Sequence, residues 1–95
     1  MNWRLWRVSK LIFAEDAWEE YLYWQMEDRR TLKRINALLK EIQRSPFEGT
    51  GKPEPLKGEY KRAWSRRINE KDRLVYEVME EAILIIQCKG HYGDK

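Results

Sequence analysis

The chain has 95 residues, enough for one domain with a thin core, and its 19 basic and 16 acidic residues give a net charge of +3. A single cysteine excludes an internal disulfide and a thiol-based metal site, and no apolar stretch approaches the roughly 20 residues of a membrane span. Residues 1–10 lack the apolar core of a signal peptide, so we expect a protein of the reducing cytoplasm.

The net charge is unevenly distributed along the chain. Residues 29–73 hold fourteen basic and six acidic residues, a net charge of +8, whereas the segments before and after them are net negative. A basic block of this size indicates an anionic partner, either nucleic-acid phosphate or an acidic protein segment. Charge alone leaves a third interpretation open, a solvated basic surface with no partner.

A short apolar strand at Leu11–Ala14 and two helices are the first predicted elements. Acidic residues open the first helix at Glu15 and Asp16, where they favour the helix dipole. Its amphipathic stripe consists of Ala14, Trp18, Tyr21, Leu22 and Gln25. Asp28 is a candidate N-cap for the second helix, which ends near Arg44 because Pro46 follows. Its expected buried face consists of Leu32, Ile35, Leu38, Leu39 and Ile42.

The second half of the chain predicts a loop and three strands. Six prolines and glycines make residues 45–60 an ordered loop. Strand patterns follow over residues 63–69, 73–79 and 82–89. The last pattern is apolar at every position from Ala82 to Ile86, so we expect an interior strand covered on both faces. The order β-α-α-β-β-β predicts an α+β fold, with two N-terminal helices packed on a small, mostly antiparallel sheet.

The loop contains the first candidate site, in the run Lys52-Pro53-Glu54-Pro55-Leu56-Lys57. Glu54 stands between two prolines, each of which fixes its own φ near about −65°. A carboxylate on a stiffened loop, with Lys52 and Lys57 nearby, is suited to act as a general base. The alternative is a solvated glutamate in a rigid turn.

Arginines on two consecutive strands form the second candidate site. Side chains alternate between the two faces of a strand, so the turn length decides whether Arg66 or Arg67 shares a face with Arg73. Two guanidinium groups on one face suit a phosphate. The residues alone leave open which pair forms, and also whether these are unrelated solvated arginines.

The third candidate site is His91, the only histidine, with Tyr92 beside it. Imidazole exchanges protons near neutral pH, although a surface histidine on a tail is the other interpretation. One histidine and one cysteine supply too few ligands for zinc, so we expect neither a metal nor another cofactor. A carboxylate, paired arginines and a histidine together indicate metal-free RNA cleavage by general acid–base catalysis.

Several motifs resemble the YoeB/Txe group of RelE-type bacterial toxins. The matching segments are Trp18–Gln25, Ile35–Asn36, Pro46–Gly49, Gly51–Lys57, Trp64–Ile68, Arg73–Tyr76 and His91–Tyr92. The resemblance implies a single microbial-ribonuclease or RelE-like domain over residues 1–95, with residues 1–9 as an N-terminal extension and 93–95 as a C-terminal tail. It also implies a type II toxin that cuts the mRNA codon in the ribosomal A site and thereby inhibits translation.

The resemblance further implies catalytic roles for four residues. Glu54 would be the general base and His91 the general acid. Arg73 would stabilise the transition state, and Tyr92 would help to position the nucleobase or the phosphate.

Phosphate ligands and partners follow from the same resemblance. Lys57 and Arg67 would contact phosphate, with Lys52 and Arg66 as further candidates, and the family pattern favours Arg67 over Arg66. The expected partners are the ribosome with its mRNA, a YefM/Axe-like antitoxin with an acidic C-terminal segment, operator DNA through the antitoxin complex, and a second toxin copy in a homodimer; no membrane is expected. A ParE-like toxin or an RNA-binding module that acts by binding alone is the alternative.

Overall fold

The computed structural model describes residues 9–58 and 62–91, which form two helices on one face of a five-stranded sheet. The elements are β1 (Lys10–Phe13), α1 (Glu15–Glu27), α2 (Arg29–Arg44), β2 (Glu54–Pro55), β3 (Ala63–Arg67), β4 (Arg73–Val78) and β5 (Ala82–Gln87). The α+β class and the element order predicted from the sequence are confirmed, with β2 as an additional two-residue strand in the segment expected to be a loop.

The strands lie in the order β1-β5-β4-β3-β2. β1 pairs with β5 in parallel, and the other three pairings are antiparallel. The register shifts in β5, since Tyr76 pairs with Ile85 whereas the preceding Val75 pairs with Gln87. β5 therefore lies between two strands, as its continuous apolar pattern predicted, and a bulge adjusts its course near its end.

The two helices agree with the sequence to different degrees. In α2 the N-cap is confirmed, because an Asp28 carboxylate oxygen accepts a hydrogen bond from Thr31 N at 3.1 Å. In α1 the expected stripe is confirmed for Ala14 and Tyr21, which pack against the core, and wrong for Trp18, which is 46% exposed. Ala17 and Trp24 are the buried residues of this helix. Trp24 turns inward because its indole nitrogen donates to Cys88 O at 2.8 Å. No helix among the described residues combines the length and apolarity that crossing a membrane requires.

Two apolar clusters lie on opposite faces of the sheet. The larger joins the helices to the inner sheet face and includes Ala17, Trp24, Ile35, Leu38, Leu39, Ile42, Leu74, Tyr76, Ile83, Ile85 and Cys88. The smaller consists of Leu56, Ala63 and Val75, with Ile86 packed against it. No described helix covers this second face. Polar side chains of β2, β3 and β4 lie there beside the smaller apolar cluster.

Candidate active site

The pairing of three strands brings candidate residues to the sheet face away from the helices. Glu54 lies opposite Ser65, which lies opposite Val75. Arg67 lies opposite Arg73 in the neighbouring row. Directly paired residues, and residues two apart on one strand, project from the same face. Glu54, Arg67 and Arg73 therefore share this face, with about 12 Å between the Cα atoms of Glu54 and Arg73 from ideal strand spacings.

The loop that carries Glu54 is tied to β3 along its length. Arg67 N donates to Gly51 O at 2.7 Å, and Leu56 N donates to Ala63 O at 2.9 Å. Gly51 has φ +86°, and a Cβ at this position would lie 3.0 Å from the carbonyl oxygen of Arg67. The close approach of the two backbones therefore requires glycine. Glu54 itself is exposed, so the loop presents its carboxylate to solvent from a fixed backbone.

Arg66 does not share this face, and its assignment as a candidate phosphate ligand was wrong. Its side chain is 0% exposed on the helix side of the sheet. Nε donates to the Tyr76 hydroxyl, and Nη1 forms an ion pair with Glu41. The five-residue turn between β3 and β4 places Arg67 opposite Arg73 instead, the alternative that the family pattern favours.

The remaining donors of Arg66 bind the backbone of the loop before β2. Nη2 donates to Ser45 O at 2.6 Å and to Glu48 O at 2.8 Å, and Nη1 also donates to Thr50 O at 3.2 Å. Glu41 closes the cluster, because one of its oxygens accepts from Thr50 N at 2.6 Å, and this bond chiefly holds the pKa of Glu41 below its usual range. One buried guanidinium thus organises the segment that leads to Glu54.

Arg73 and Arg67 are cations without a carboxylate partner among the described residues. Nη1 of Arg73 donates to Asn69 O at 2.7 Å and to Asp72 O at 3.1 Å, both neutral acceptors in the β3–β4 turn. Arg67 is exposed. Their charges are therefore available to an external anion.

His91 lies four residues after the end of β5, and the residue before it, Gly90, contacts the backbone of Arg73. Arg73 N donates to Gly90 O at 2.9 Å, so the residue before His91 is fixed against the first residue of β4. Gly90 has φ +87°, which turns the chain after β5. His91 is exposed. His91 thus follows directly on a turn that is anchored to β4.

The other candidate residues have simpler placements. Lys52 and Lys57 are exposed on the Glu54 loop. Lys52 has φ +53°, a left-handed conformation that a non-glycine residue seldom adopts. Tyr92 lies outside the described residues, as do the extension at residues 1–8 and the tail at 93–95.

Residues that the sequence did not single out hold the segment before His91. Asp72, 6% exposed, accepts from Gly90 N at 2.7 Å, and Glu20 accepts from Cys88 N at 2.8 Å. Within the β3–β4 turn Asn69 Oδ1 accepts from Lys71 N and Asp72 N, as is common for asparagine in turns, but no sequence pattern indicates the contact of Asp72 with Gly90. Within residues 9–58 and 62–91, no group of three His, Cys, Asp or Glu side chains converges to hold a metal ion.

A separate apolar groove of about 560 Å³ lies on the helix side of the molecule. Phe13, Trp18 and Tyr21 line it together with part of α2, and the Trp18 and Tyr21 rings are stacked with centroids 5.7 Å apart. Glu54, Arg73 and His91, the candidate catalytic residues that the structure describes, do not border it. The groove and the polar sheet face are therefore distinct surfaces.

Comparison with known proteins agrees with the fold. A profile of YoeB-like toxins of bacterial type II toxin–antitoxin systems matches residues 13–92. Toxin YoeB of Escherichia coli (strain K12) is 54% identical over 83 residues, which are 87% of this chain and 99% of that protein.

Solved structures from Staphylococcus aureus extend the similarity to three dimensions. A YoeB dimer has a TM-score of 0.83 and 46% identity, and a YoeB–YefM complex has a TM-score of 0.82 and 45% identity. Each match covers 88% of this chain and 98% of the other. The chain therefore belongs to the family of YoeB-like toxins of bacterial type II toxin–antitoxin systems.

Proposed function

We propose that this toxin is a ribosome-dependent, metal-independent endoribonuclease that cuts mRNA at the codon in the ribosomal A site and so inhibits translation. The observation that carries the proposal is the shared exposed face of Glu54, Arg67 and Arg73, together with the anchoring of the turn before His91 to Arg73. A carboxylate, two guanidiniums and an imidazole around one surface supply a base, anion stabilisers and an acid.

The proposed reaction is an in-line transfer within the RNA chain. Glu54 accepts the proton of a 2′-hydroxyl while that oxygen bonds to the adjacent phosphorus. Arg73 stabilises the extra negative charge on the phosphorane oxygens, with Arg67 as a second cation. The bond from phosphorus to the 5′-oxygen then breaks, and His91 donates a proton to that oxygen. The products are a 2′,3′-cyclic phosphate and a free 5′-hydroxyl, so protons and electron pairs balance.

Basic groups around the site would hold the substrate. Lys52 and Lys57 are exposed on the loop that carries Glu54, and we assign them to flanking phosphates. We assign Tyr92 to positioning the nucleobase or phosphate. The ribosome supplies the geometry of the codon, because a shallow exposed sheet face holds a flexible single strand poorly by itself.

We propose the partners of this toxin from its basic charge and from the assemblies of its solved relatives. The antitoxin would be YefM-like, with an acidic C-terminal segment that folds on the basic surface, because residues 29–73 carry a net charge of +8. The solved relatives include a YoeB–YefM complex and a YoeB dimer. We propose the same two assemblies here, contact with operator DNA only through the antitoxin complex, and action in the cytoplasm.

A reconstituted cleavage assay tests the proposal. Purified toxin is mixed with an mRNA, either naked or bound to ribosomes programmed with a defined A-site codon. We expect cleavage only with ribosomes, at the A-site codon, in the presence of EDTA-treated toxin, and with a 2′,3′-cyclic phosphate end. Growth arrest by a toxin that leaves the ribosome-bound mRNA intact would instead favour a toxin that acts by binding.

A further inference from the structure

We propose that Asp72 is a positioning residue that holds the general acid His91 in register with Arg73. The inference rests on the proposed function of His91 and adds a residue that the family resemblance did not indicate. Asp72 is the last residue of the β3–β4 turn and precedes Arg73 directly, so it is placed to connect the two groups.

Asp72 reaches from its own turn to the turn that follows β5. One carboxylate oxygen accepts from Gly90 N at 2.7 Å, and the other accepts from the Asn69 side-chain amide at 3.0 Å. The residue is 6% exposed. A buried carboxylate is costly unless it is hydrogen-bonded, so these bonds hold it in one orientation.

Gly90 is fixed at both of its backbone polar atoms. Its N–H is bound by Asp72, and its carbonyl oxygen accepts from Arg73 N and from the Gln87 side-chain amide, each at 2.9 Å. A Cβ at Gly90 would meet no atom within 4 Å, so crowding does not impose its positive φ. The hydrogen bonds therefore define the path of the chain into His91.

The segment before Gly90 is also anchored, but to the other side of the molecule. Cys88 N donates to Glu20, and Cys88 O accepts from Trp24, both on α1. Of the hydrogen bonds that hold residues 88–90 within the described part of the chain, only those to the Asp72 side chain and the Arg73 backbone come from the turn and strand that carry Arg73. Loss of the Asp72 carboxylate should thus loosen His91 relative to Arg73 while the helix anchors remain.

The test compares two leaving groups in the same ribosome-bound mRNA. One substrate carries the natural 5′-oxygen at the scissile linkage and the other carries sulfur there, which departs as a thiolate without protonation. Asp72→Ala should slow single-turnover cleavage of the oxygen substrate by about 10- to 100-fold, a part of the roughly 10²–10⁴-fold that a general acid contributes. Cleavage of the sulfur substrate should change by less than about 3-fold.

The ratio of the two rates is measured in one protein preparation, so it does not depend on the fraction of folded toxin. Asp28→Ala is the matched control, because it also removes a carboxylate that accepts a backbone N–H, at the start of α2. Its ratio should equal that of the wild type. Asp72→Asn keeps an oxygen that can accept from Gly90 N, so we expect it to show most of the wild-type ratio. If the negative charge of Asp72 were required, Asp72→Asn would instead have the same low ratio as Asp72→Ala.

His91→Gln separates the two hypotheses. If the sulfur substrate restores the cleavage rate of His91→Gln but Asp72→Ala is equally slow on both substrates, the positioning role of Asp72 is wrong and the role of His91 as general acid is retained. If sulfur does not rescue His91→Gln, the assignment of the acid itself fails. The Asp72→Ala/His91→Gln double variant should cleave the oxygen substrate no more slowly than His91→Gln, since a residue that acts through His91 adds nothing once it is gone.

Discussion

Arg66 and Arg67 are adjacent in the chain, yet they have opposite environments. The alternation of a strand directs Arg66 to the helix side, where its donors are all bound, and Arg67 to the exposed face beside Arg73. At this scale the toxin uses one guanidinium as an internal brace and two as surface cations. The brace is matched by a carboxylate and by carbonyls, whereas the surface cations lack carboxylate partners among the described residues.

Replacement of Arg73 tests the surface cation without a large change in stability. Among the described residues, its side chain donates hydrogen bonds only to two carbonyl oxygens of its own turn. We expect Arg73→Ala to lower the single-turnover rate on ribosome-bound mRNA by about 10²- to 10³-fold, as for a preorganised donor to a developing charge. Arg62→Ala, an equal loss of charge at the opposite end of β3, should change the rate by less than about 3-fold. Equal losses in both variants would contradict a specific role for Arg73.

Replacement of Glu41 tests the internal brace. Glu41→Gln leaves the buried Arg66 guanidinium without its carboxylate and should lower the free energy of unfolding by about 2 kcal/mol, less than for a fully buried pair because Glu41 is 36% exposed. Urea denaturation at pH 7 measures the difference. Glu48→Gln, whose side chain is exposed, should change stability by less than about 0.5 kcal/mol.

The same variant predicts a pH dependence of stability. The folded pKa of Glu41 is lowered from the ordinary value of 4.5, chiefly by the Thr50 N–H. A lowered folded pKa stabilises the protein above the unfolded value, and this contribution is lost as the pH falls through the folded value. The difference between wild type and Glu41→Gln should therefore be largest at neutral pH and shrink below about pH 4.5. A difference that grew at low pH would contradict the sign.

Among the elements, β2 is the one on which the candidate site depends most. Two residues of strand, a hydrogen bond from Arg67 to Gly51, and one from Leu56 to Ala63 hold Glu54 against β3. The segment before it is held by Arg66, and the buried Leu56 anchors the segment after it. The exposed Glu54 can thus have a defined position, because the backbone segments on both sides of it are fixed although its side chain is not.

A pair of glycine variants tests this attachment. Gly51→Ala and Gly58→Ala both place a Cβ at a positive φ, but only at Gly51 does the Cβ lie 3.0 Å from the Arg67 carbonyl. We expect Gly58→Ala to cost about 1 kcal/mol and Gly51→Ala at least about 1 kcal/mol more in urea denaturation. Equal costs would show that the close approach to β3 is unimportant.

The sequence predicted the elements whose pattern is local. The period of α2, its Asp28 cap and the apolar run of β5 all reappear in the structure. In α1 the stripe was wrong at Trp18, which remains exposed while its ring stacks on Tyr21, whereas Trp24 turns inward to reach Cys88 O. β2 was missed because a strand of two residues, one of them Pro55, carries no strand period, and its pairing is decided by the edge of β3.

The candidate site was predictable in part for the same reason. Residue types and spacing drew attention to Glu54, Arg73 and His91, but the choice between Arg66 and Arg67 required the strand register. The bond from Asp72 to Gly90 joins residues 18 apart in sequence, and no local pattern reports such a contact.

For the whole molecule, the charge distribution separates the surfaces. The block from residue 29 to 73 carries a net charge of +8 and includes Lys52, Lys57, Arg67 and Arg73. Contacts with phosphate release counterions, so binding to RNA should weaken steeply with salt. The segments outside this block are net negative, which would direct an anionic partner toward the sheet face and α2 rather than toward the N-terminal helix.

Salt dependence tests which cations bind phosphate. With His91→Gln toxin to prevent cleavage, the slope of log affinity for ribosome-bound mRNA against log salt concentration should fall by about 1 when Lys57 or Arg67 is replaced by alanine. Lys33→Ala, on an exposed position of α2, should leave the slope unchanged. Equal slopes for all variants would contradict the assignment of Lys57 and Arg67 to phosphate.

We propose that this toxin arrests growth by cutting mRNA in the ribosomal A site, with His91 as the general acid. Mapping of RNA 5′ ends in cells that express the toxin tests it most directly. We expect new ends with free 5′-hydroxyls at one fixed position within codons of translated genes, and no such ends with His91→Gln at equal protein level. Growth arrest without codon-phased ends, or unchanged ends with His91→Gln, would contradict it.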